Sequence, residues 1–339
     1  MQEFSHFVGI DISKKTLNYA VYNRFHELIS EGELKNNQSE IGRMMSRIVR
    51  MCKIECDGIL YCAEFTGNYA IRLLKMALKR KVFCWLEDPL RISSAEPRQK
   101  LKSDPEDARR IARYALRYAD RARCDVEVFL EMWPLKELIN ARTRLVKYKS
   151  AMGQSPHDLR LVSPHVASVL GKSGSSFDKH YSREIKSIDL EIENFIGQHP
   201  DWKRNHELIQ SIPGIGKVTG AYLIAITWNF RRLCNARKLA SFCCMAPFSK
   251  SSGTSLKKKA RTVKKGDKRL KTLLQMSVYN AIRSDDELAH YAERMQDAGK
   301  PPLVIANNIR NKLLKRIIAV VKRQKPYNIA RQSKVLAKP

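Results

Sequence analysis

The sequence predicts an α/β domain followed by a mainly α-helical remainder, with a helical coiled-coil connector between its two end regions. Three observations predict it. Strand-like and helix-like segments alternate through about residue 124, long charged amphipathic segments without strands follow to about 204, and helical segments beyond 205 carry most of the positive charge. Interleaved periods of 2 and 3.6 residues in one stretch mark a sheet with helices packed on it.

Taken in order, Phe7, Val8 and Ile10 form a short apolar run that ends on Asp11, and Leu17, Tyr19, Val21 and Tyr22 resume a β-rich pattern after a tight turn. The stretch reads as a strand, a turn and a returning strand. A helix is predicted over Glu40–Cys52 from the spacing of Ile41, Met44, Ile48 and Met51. Gly58–Ala63 is an apolar strand that leads into Glu64, Ala70–Ala77 a helix, Lys81–Leu86 a short strand, and Ser103–Tyr118 a helix with Ile111, Ala115 and Leu116 on one face. In the connector, Trp133–Met152 and Ser182–Ile196 read as amphipathic helices. The Ser-, Gly- and Pro-rich stretch Gly153–Phe177 reads as the loop between them. Such a pair is also suited to self-association.

The third region opens on Leu208–Gly220, which contains Ile-Pro-Gly-Ile-Gly-Lys (212–217) and then a helix over Ala221–Ile226. This is the pattern of a helix-hairpin-helix, in which Gly214, Gly216 and Lys217 would approach a phosphate through backbone N–H groups and a helix N-terminus. A purely structural turn uses similar residues. Lys238–Cys244, Leu270–Arg283 and Val304–Lys322 are further helices. The division expected is therefore 1–124, 125–204 and 205–325, with a polar tail over 326–339.

Charge narrows the partners. The net charge of +29 divides into +7 for residues 1–124, +1 for 125–204 and +21 for 205–339. A polyanion, most commonly nucleic acid, is the natural partner of the last third. No apolar run approaches the roughly 20 residues of a membrane span, and the N-terminus lacks a basic-then-apolar leader, so a cytoplasmic, nucleoid-associated protein is expected. The eight cysteines form no Cys-x-x-Cys pair and no zinc-spaced cluster, which argues against a structural zinc and for reduced thiols.

Asp11 invites a partner, because an acid in a buried strand is costly unless paired or bound to a cation. Glu64 ends a second strand, and Asp104 and Asp107 lie three apart at the start of a helix, where they share a face. The helix pair alone would serve equally as an N-terminal cap, with Ser103 and Pro105 in the first turn. Together with acids at two strand ends, the four suit a hard cation such as magnesium that bridges to a phosphate.

The order strand-Asp, strand-Glu, then Asp-x-x-Asp on a later helix resembles the RuvC-like branch of the RNase H fold. Asp11-Ile-Ser-Lys-Lys, Glu64-Phe-Thr-Gly and Lys102-Ser-Asp-Pro-Glu-Asp-Ala resemble, more narrowly, the DEDD transposases of bacterial insertion sequences, among them the Piv-type DNA invertases. Leu208–Gly220 and the run from Ala240 through Ala-Pro (246–247), Ser252-Gly253 and Lys264-Lys-Gly resemble the C-terminal domain of the same family. Cys244 and Lys258 depart from it, each standing where the family often has glycine.

The resemblance implies four catalytic acids at Asp11, Glu64, Asp104 and Asp107, holding magnesium or manganese. It implies a nucleophilic serine at Ser252, with Ser251 its neighbouring alternative. Without the family, this Ser/Gly/Lys run reads as a flexible loop. Lys257, Lys258, Lys259, Arg261, Lys264 and Lys265 would hold nucleic-acid backbone nearby. Also implied are double-stranded donor and target DNA, a guide (bridge) RNA, no membrane partner, and a dimer or tetramer. The function expected is site-specific recombination or transposition through a metal-assisted serine. The rivals are a RuvC-like metal nuclease that uses water, a Piv-type invertase, and a helix-hairpin-helix binding protein with an inactive RuvC-like domain.

Overall fold

The computed structural model describes residues 3–65, 67–95, 104–152, 159–252, 256–262 and 266–328. The chain divides into two compact units, Met1–Glu131 and Met132–Pro339.

In the first unit the opening stretch forms strands β1 (His6–Ile12) and β2 (Thr16–Asn23). Ser13 Oγ accepts the Thr16 N–H at 3.0 Å and closes the predicted turn. A further strand, β3 (Leu28–Lys35), escapes the sequence reading because it is a sheet edge: its side chains alternate between half-buried and exposed, and Glu31, Glu33 and Lys35 face water. Helix α1 (Gln38–Cys52) starts at Asn37, whose side chain caps the Glu40 N–H. Strand β4 (Ile59–Glu64), helix α2 (Ile71–Arg80), strand β5 (Phe83–Glu87) and helices α3 (Pro89–Ala95) and α4 (Asp104–Arg117) follow. The sheet order is β3-β2-β1-β4-β5. β1 is antiparallel to β2 and parallel to β4, β4 is parallel to β5, and β2 is antiparallel to β3. This arrangement, with β2 alone reversed, is that of the RNase H fold, as the RuvC-like expectation required.

Both faces of the sheet are covered, which is why its central strands read as continuous apolar runs. On one face Phe7, Leu60, Cys62 and Trp85 pack against Ile92 of α3 and Ile111, Tyr114 and Ala115 of α4. Ala20 and Tyr22 meet Ala108 and Ala112 of the same helix. On the other, the buried Tyr61 lies among Cys52 of α1, Cys56 and Arg80 of α2. Each large side chain so buried contributes about 1.5–3 kcal/mol.

The second unit is mainly helical. Helices α5 (Val126–Met152) and α7 (Pro164–Gly197) run antiparallel, with α6 (Leu159–Val162) a single turn between them. Arg142 grips Asp189 with two nitrogens, and Lys149 reaches Ser182 at 2.7 Å and Asp178 at 3.4 Å. Of the loop predicted over Gly153–Phe177, residues 153–158 lie outside the described residues and the rest is mostly helix. Pro164 suits the first turn of α7. Gly174 faces α5 across ordinary packing, since a Cβ there would sit 3.5 Å from the Met152 carbonyl oxygen.

Met132, Leu135 and Ile139 of α5 and Ile192 and Ile196 of α7 belong to one core with Leu288 and with five further helices. These are α8 (Pro200–Gln210), α9 (Lys217–Thr227), α10 (Ala236–Phe242), α11 (Lys268–Ser284) and α13 (Pro302–Arg323). Helix α12 (Asp286–Asp297) was not predicted. Asp285 caps it by accepting the Leu288 N–H at 3.0 Å, and Arg316 pairs with the same carboxylate at 2.8 Å. The Ser/Lys run, read from composition as a loop, forms an antiparallel hairpin of β6 (Pro247–Ser252) and β7 (Leu256–Thr262). All eight cysteines are free thiols. No helix of the described residues is long and apolar enough to cross a membrane.

Candidate active site

Strand register places two of the predicted acids side by side. The parallel pairing of β1 with β4 ends at Ile10↔Ala63, so Asp11 and Glu64 are the next residues on strands about 4.8 Å apart. Alternation then puts Phe7, Gly9 and Asp11 on one face beside Leu60, Cys62 and Glu64. This is the face α4 covers. A Cβ on Gly9 would lie 2.2 Å from Ala108 O and 2.2 Å from Ala112 N, so only glycine lets the helix backbone rest on the strand. Asp107, next to Ala108, is thereby delivered to Asp11.

The electrostatics record that convergence. The Asp11 carboxyl is pushed up to about 6, first by burial and then by the charges of Asp107, Asp104 and Glu64, against a lowering by the backbone hydrogen bond of Ile12. All four predicted acids thus share one field. Glu106 turns away, taking Arg113 at 2.9 Å and Arg109 at 3.4 Å, while Arg109 also grips Glu31 of β3 through two bonds of 2.6 Å. These ion pairs fix α4 to the sheet edge and leave Asp104 and Asp107 to the site. Ser103, the expected cap, lies outside the described residues.

Two neighbours escaped the sequence reading. Glu87 is paired with Glu64 across β4 and β5 and is buried at 7% exposure, with Tyr114 donating its hydroxyl at 3.2 Å and Arg91 at 3.6 Å. Its signal was available, as a third strand ending on an acid. Arg110 sits between the predicted acids: its Nη2 lies 2.9 Å from Glu64 and 3.2 Å from Asp107. The spacing of three from Asp107 was legible, but the reach to Glu64 belongs to the fold.

Among the described residues, no group of three His, Cys, Asp or Glu side chains stands closely enough to hold a metal ion. The chemistry of the acids nevertheless fits a hard divalent cation: all four are oxygen donors, and such an ion would offset both the burial and the neighbouring charges that raise the Asp11 carboxyl. Asp11, Glu64, Asp104 and Asp107 are the residues that would hold it.

In the second unit, Ser252 is the last residue of β6, paired with Leu256 at the closed end of the hairpin, and Ser251 is paired with Lys257. Lys258, Lys259 and Arg261 follow on β7, whereas Gly253, Lys264 and Lys265 lie outside the described residues. The start of the helix that follows, α11, is built tightly. A Cβ on Gly266, at φ +154°, would fall 2.4 Å from Phe242 O, and Asp267 receives the Tyr222 hydroxyl at 2.6 Å. Cys244, where the family often has glycine, adopts the left-handed φ of 57° that explains the preference.

The Pro-Gly-Ile-Gly turn lies between α8 and α9, as predicted. Gly214, at φ +85°, is required by packing: a Cβ would meet Ser277 O and Ala281 N of α11 at 2.6 Å. Gly216 has open space around it and precedes the first residue of α9, Lys217, whose ammonium pairs with Glu193 at 2.8 Å.

Two family models match this chain: a DEDD transposase of the IS110 type over residues 8–157, and the transposase IS116/IS110/IS902 family over residues 206–293. The chain belongs to the IS110-type DEDD transposases. This transposase is 24% identical to the pilin gene-inverting protein of Moraxella lacunata over 329 residues, covering 95% of this chain and 97% of that one. Its match to the Moraxella bovis pilin gene-inverting protein has the same identity and coverage. The IS110 43.6 kDa protein of Streptomyces coelicolor is 27% identical over 34% of this chain and 27% of its own length. Among solved structures, T. thermophilus RuvC in complex with a Holliday junction substrate aligns with 34% of this chain and 95% of its own, at 17% identity and a TM-score of 0.26. Membership makes this chain an enzyme that cuts and recombines DNA, with the divalent-metal requirement general to DEDD sites.

Proposed function

We propose that this transposase moves or inverts DNA by a serine-linked mechanism, using the acid cluster of the first unit and Ser252 of the second on one phosphodiester. The observation that carries the reading is the convergence of Glu64, Asp104 and Asp107 on Asp11, whose carboxyl burial and then their three charges push up to about 6. A magnesium or manganese ion bound there supplies charge neutralisation for the scissile phosphate. Asp11, Glu64, Asp104 and Asp107 would hold that ion. The Ser252 hydroxyl attacks phosphorus: an Oγ–P bond forms as a bond to a deoxyribose oxygen breaks, and the serine proton ends on the departing hydroxyl. The phosphoserine link conserves the bond energy, so rejoining is the same step in reverse with a different DNA end.

Lys257, Lys258, Lys259, Arg261, Lys264 and Lys265 hold backbone near the serine, and Gly216 with Lys217 forms a second phosphate contact. A guide RNA paired with donor and target DNA would supply sequence choice, leaving shape and charge to the protein. Bringing two DNA sites together calls for a dimer or tetramer, and the substrate places the protein in the nucleoid.

The test is trapping of a protein–DNA adduct under denaturing electrophoresis. Ser252→Ala should abolish it while DNA binding persists, and Ser251→Ala should not. An adduct or rejoining at the usual rate in Ser252→Ala sinks the serine mechanism, and a variant that still nicks without an adduct points to water as nucleophile. RNase treatment of the purified protein should stop recombination, and unimpaired recombination removes the guide RNA. Because the pilin gene-inverting relatives align over nearly the whole chain, inversion is the second reading. Recombination assays on inverted and direct copies of the flanking DNA separate it from insertion.

A further inference from the structure

We infer that Arg110 is a resident cation that closes the acid site against metal until a divalent ion displaces it. The inference rests on the divalent-cation reading of the acid cluster.

Arg110 projects from α4 one helical turn beyond Asp107, and one of its nitrogens bridges two of the four acids, at 2.9 Å to Glu64 and 3.2 Å to Asp107. A magnesium ion shared by those carboxylates would need their oxygens at about 2.1 Å, roughly 1 Å closer than a guanidinium nitrogen holds them. The bridging nitrogen therefore keeps the two acids apart in the position where they would otherwise share an ion.

Arg110 is also poorly anchored as a structural residue. It is buried at 4% exposure, yet its Nε and Nη1 have no hydrogen-bond partner. A buried guanidinium built into a framework ordinarily satisfies its donors with carbonyls or carboxylates. Here the acids alone hold it in place, so a stronger cation at those acids removes what keeps it there. The neighbouring arginines differ. Arg109 and Arg113 are tied to Glu31 and Glu106, away from the four acids.

A lock and a scaffold predict opposite signs. If Arg110 merely holds the acids in a shape suited to metal, truncating it weakens metal binding. If it competes with metal, truncating it tightens binding, because the competitor is gone and four acids are left facing one another. Arg110→Met keeps most of the apolar length and loses the charge, whereas Arg110→Lys keeps a charge with a shorter reach.

The experiment is calorimetric titration of Mn2+ into the full-length protein, its two Arg110 variants and Asp11→Asn. Arg110→Met should bind Mn2+ at least tenfold more tightly than the unaltered protein, and Arg110→Lys should fall between them. Weaker or equal binding in Arg110→Met overturns the lock. If the unaltered protein then still binds Mn2+ and Asp11→Asn does not, the cation site itself stands. Absence of binding by both the unaltered protein and Arg110→Met overturns the lock and the cation site together. Should Arg110→Met be unstable in chelator, thermal unfolding gives the second readout. The lock requires a larger Mn2+-induced rise in Tm than in the unaltered protein, and an equal or smaller rise overturns it.

Discussion

At the residue scale, Asp11 is an acid that burial and three neighbouring carboxylates make uncomfortable when charged. Its folded carboxyl keeps a proton up to about pH 6, against an ordinary value of 3.8. Between those values the folded state binds more protons than the unfolded chain, so stability falls as pH rises through the window. Above about pH 6 the penalty is complete. Asp11→Asn removes it, so in chelator that variant should resist urea better than the unaltered protein at pH 7.5 and gain nothing below about pH 4. Greater stability of the unaltered protein at pH 7.5 would show that Asp11 is already neutralised within the fold. Asp11 and Glu64 were legible because acids ending apolar strands are chemically expensive, and Asp104 and Asp107 because they lie three apart at a helix start. Arg110 and Glu87 were not. Arg110 matters through an atom that reaches Glu64, 46 positions away in sequence, and Glu87 through its register with β4.

At the element scale, the site depends on how closely α4 lies on β1, and one missing Cβ sets that distance. Gly9→Ala would press a methyl group against the backbone of Ala108 and Ala112 at 2.2 Å. Backbone cannot move aside as a flexible side chain can, so the helix must lift. The cost expected is at least about 3 kcal/mol, at the upper end of overpacking, together with loss of DNA cleavage as Asp107 leaves Asp11. Chemical denaturation and a nicking assay check both, and a Gly9→Ala protein of normal stability would show that the helix yields. Elements were legible where their period was clean, as in β1, β2, β4, α1, α4 and α13. They were missed where the context supplied what composition hid. Strand β3 is a charged edge, α7 carries Gly171 and Gly174 inside a helix braced by α5, and the Ser/Lys run forms a hairpin through backbone pairing that its composition does not announce.

At the scale of the whole molecule, charge and chemistry are divided between the two ends of the sequence. The acid cluster lies within a stretch of net charge +7, and the serine hairpin within one of +21. Binding and cutting should therefore separate under mutation. Each phosphate neutralised by a lysine or arginine releases counterions, and the logarithm of the binding constant then falls with the logarithm of salt at a slope of about 0.9 per phosphate. Replacing Lys257, Lys258, Lys259 and Arg261 together by glutamine should flatten that slope by about 0.9 for every phosphate the hairpin no longer neutralises. Affinity should weaken in proportion at low salt and alike on specific and unrelated DNA, because backbone phosphates carry no base information. Asp11→Asn should leave the slope unchanged, since a carboxylate neutralises no phosphate. Titration of labelled duplex at several salt concentrations reads both slopes. An unchanged slope in the four-residue variant would move the polyanion-binding surface away from the hairpin, and a flattened slope in Asp11→Asn would place bulk DNA binding at the acid site.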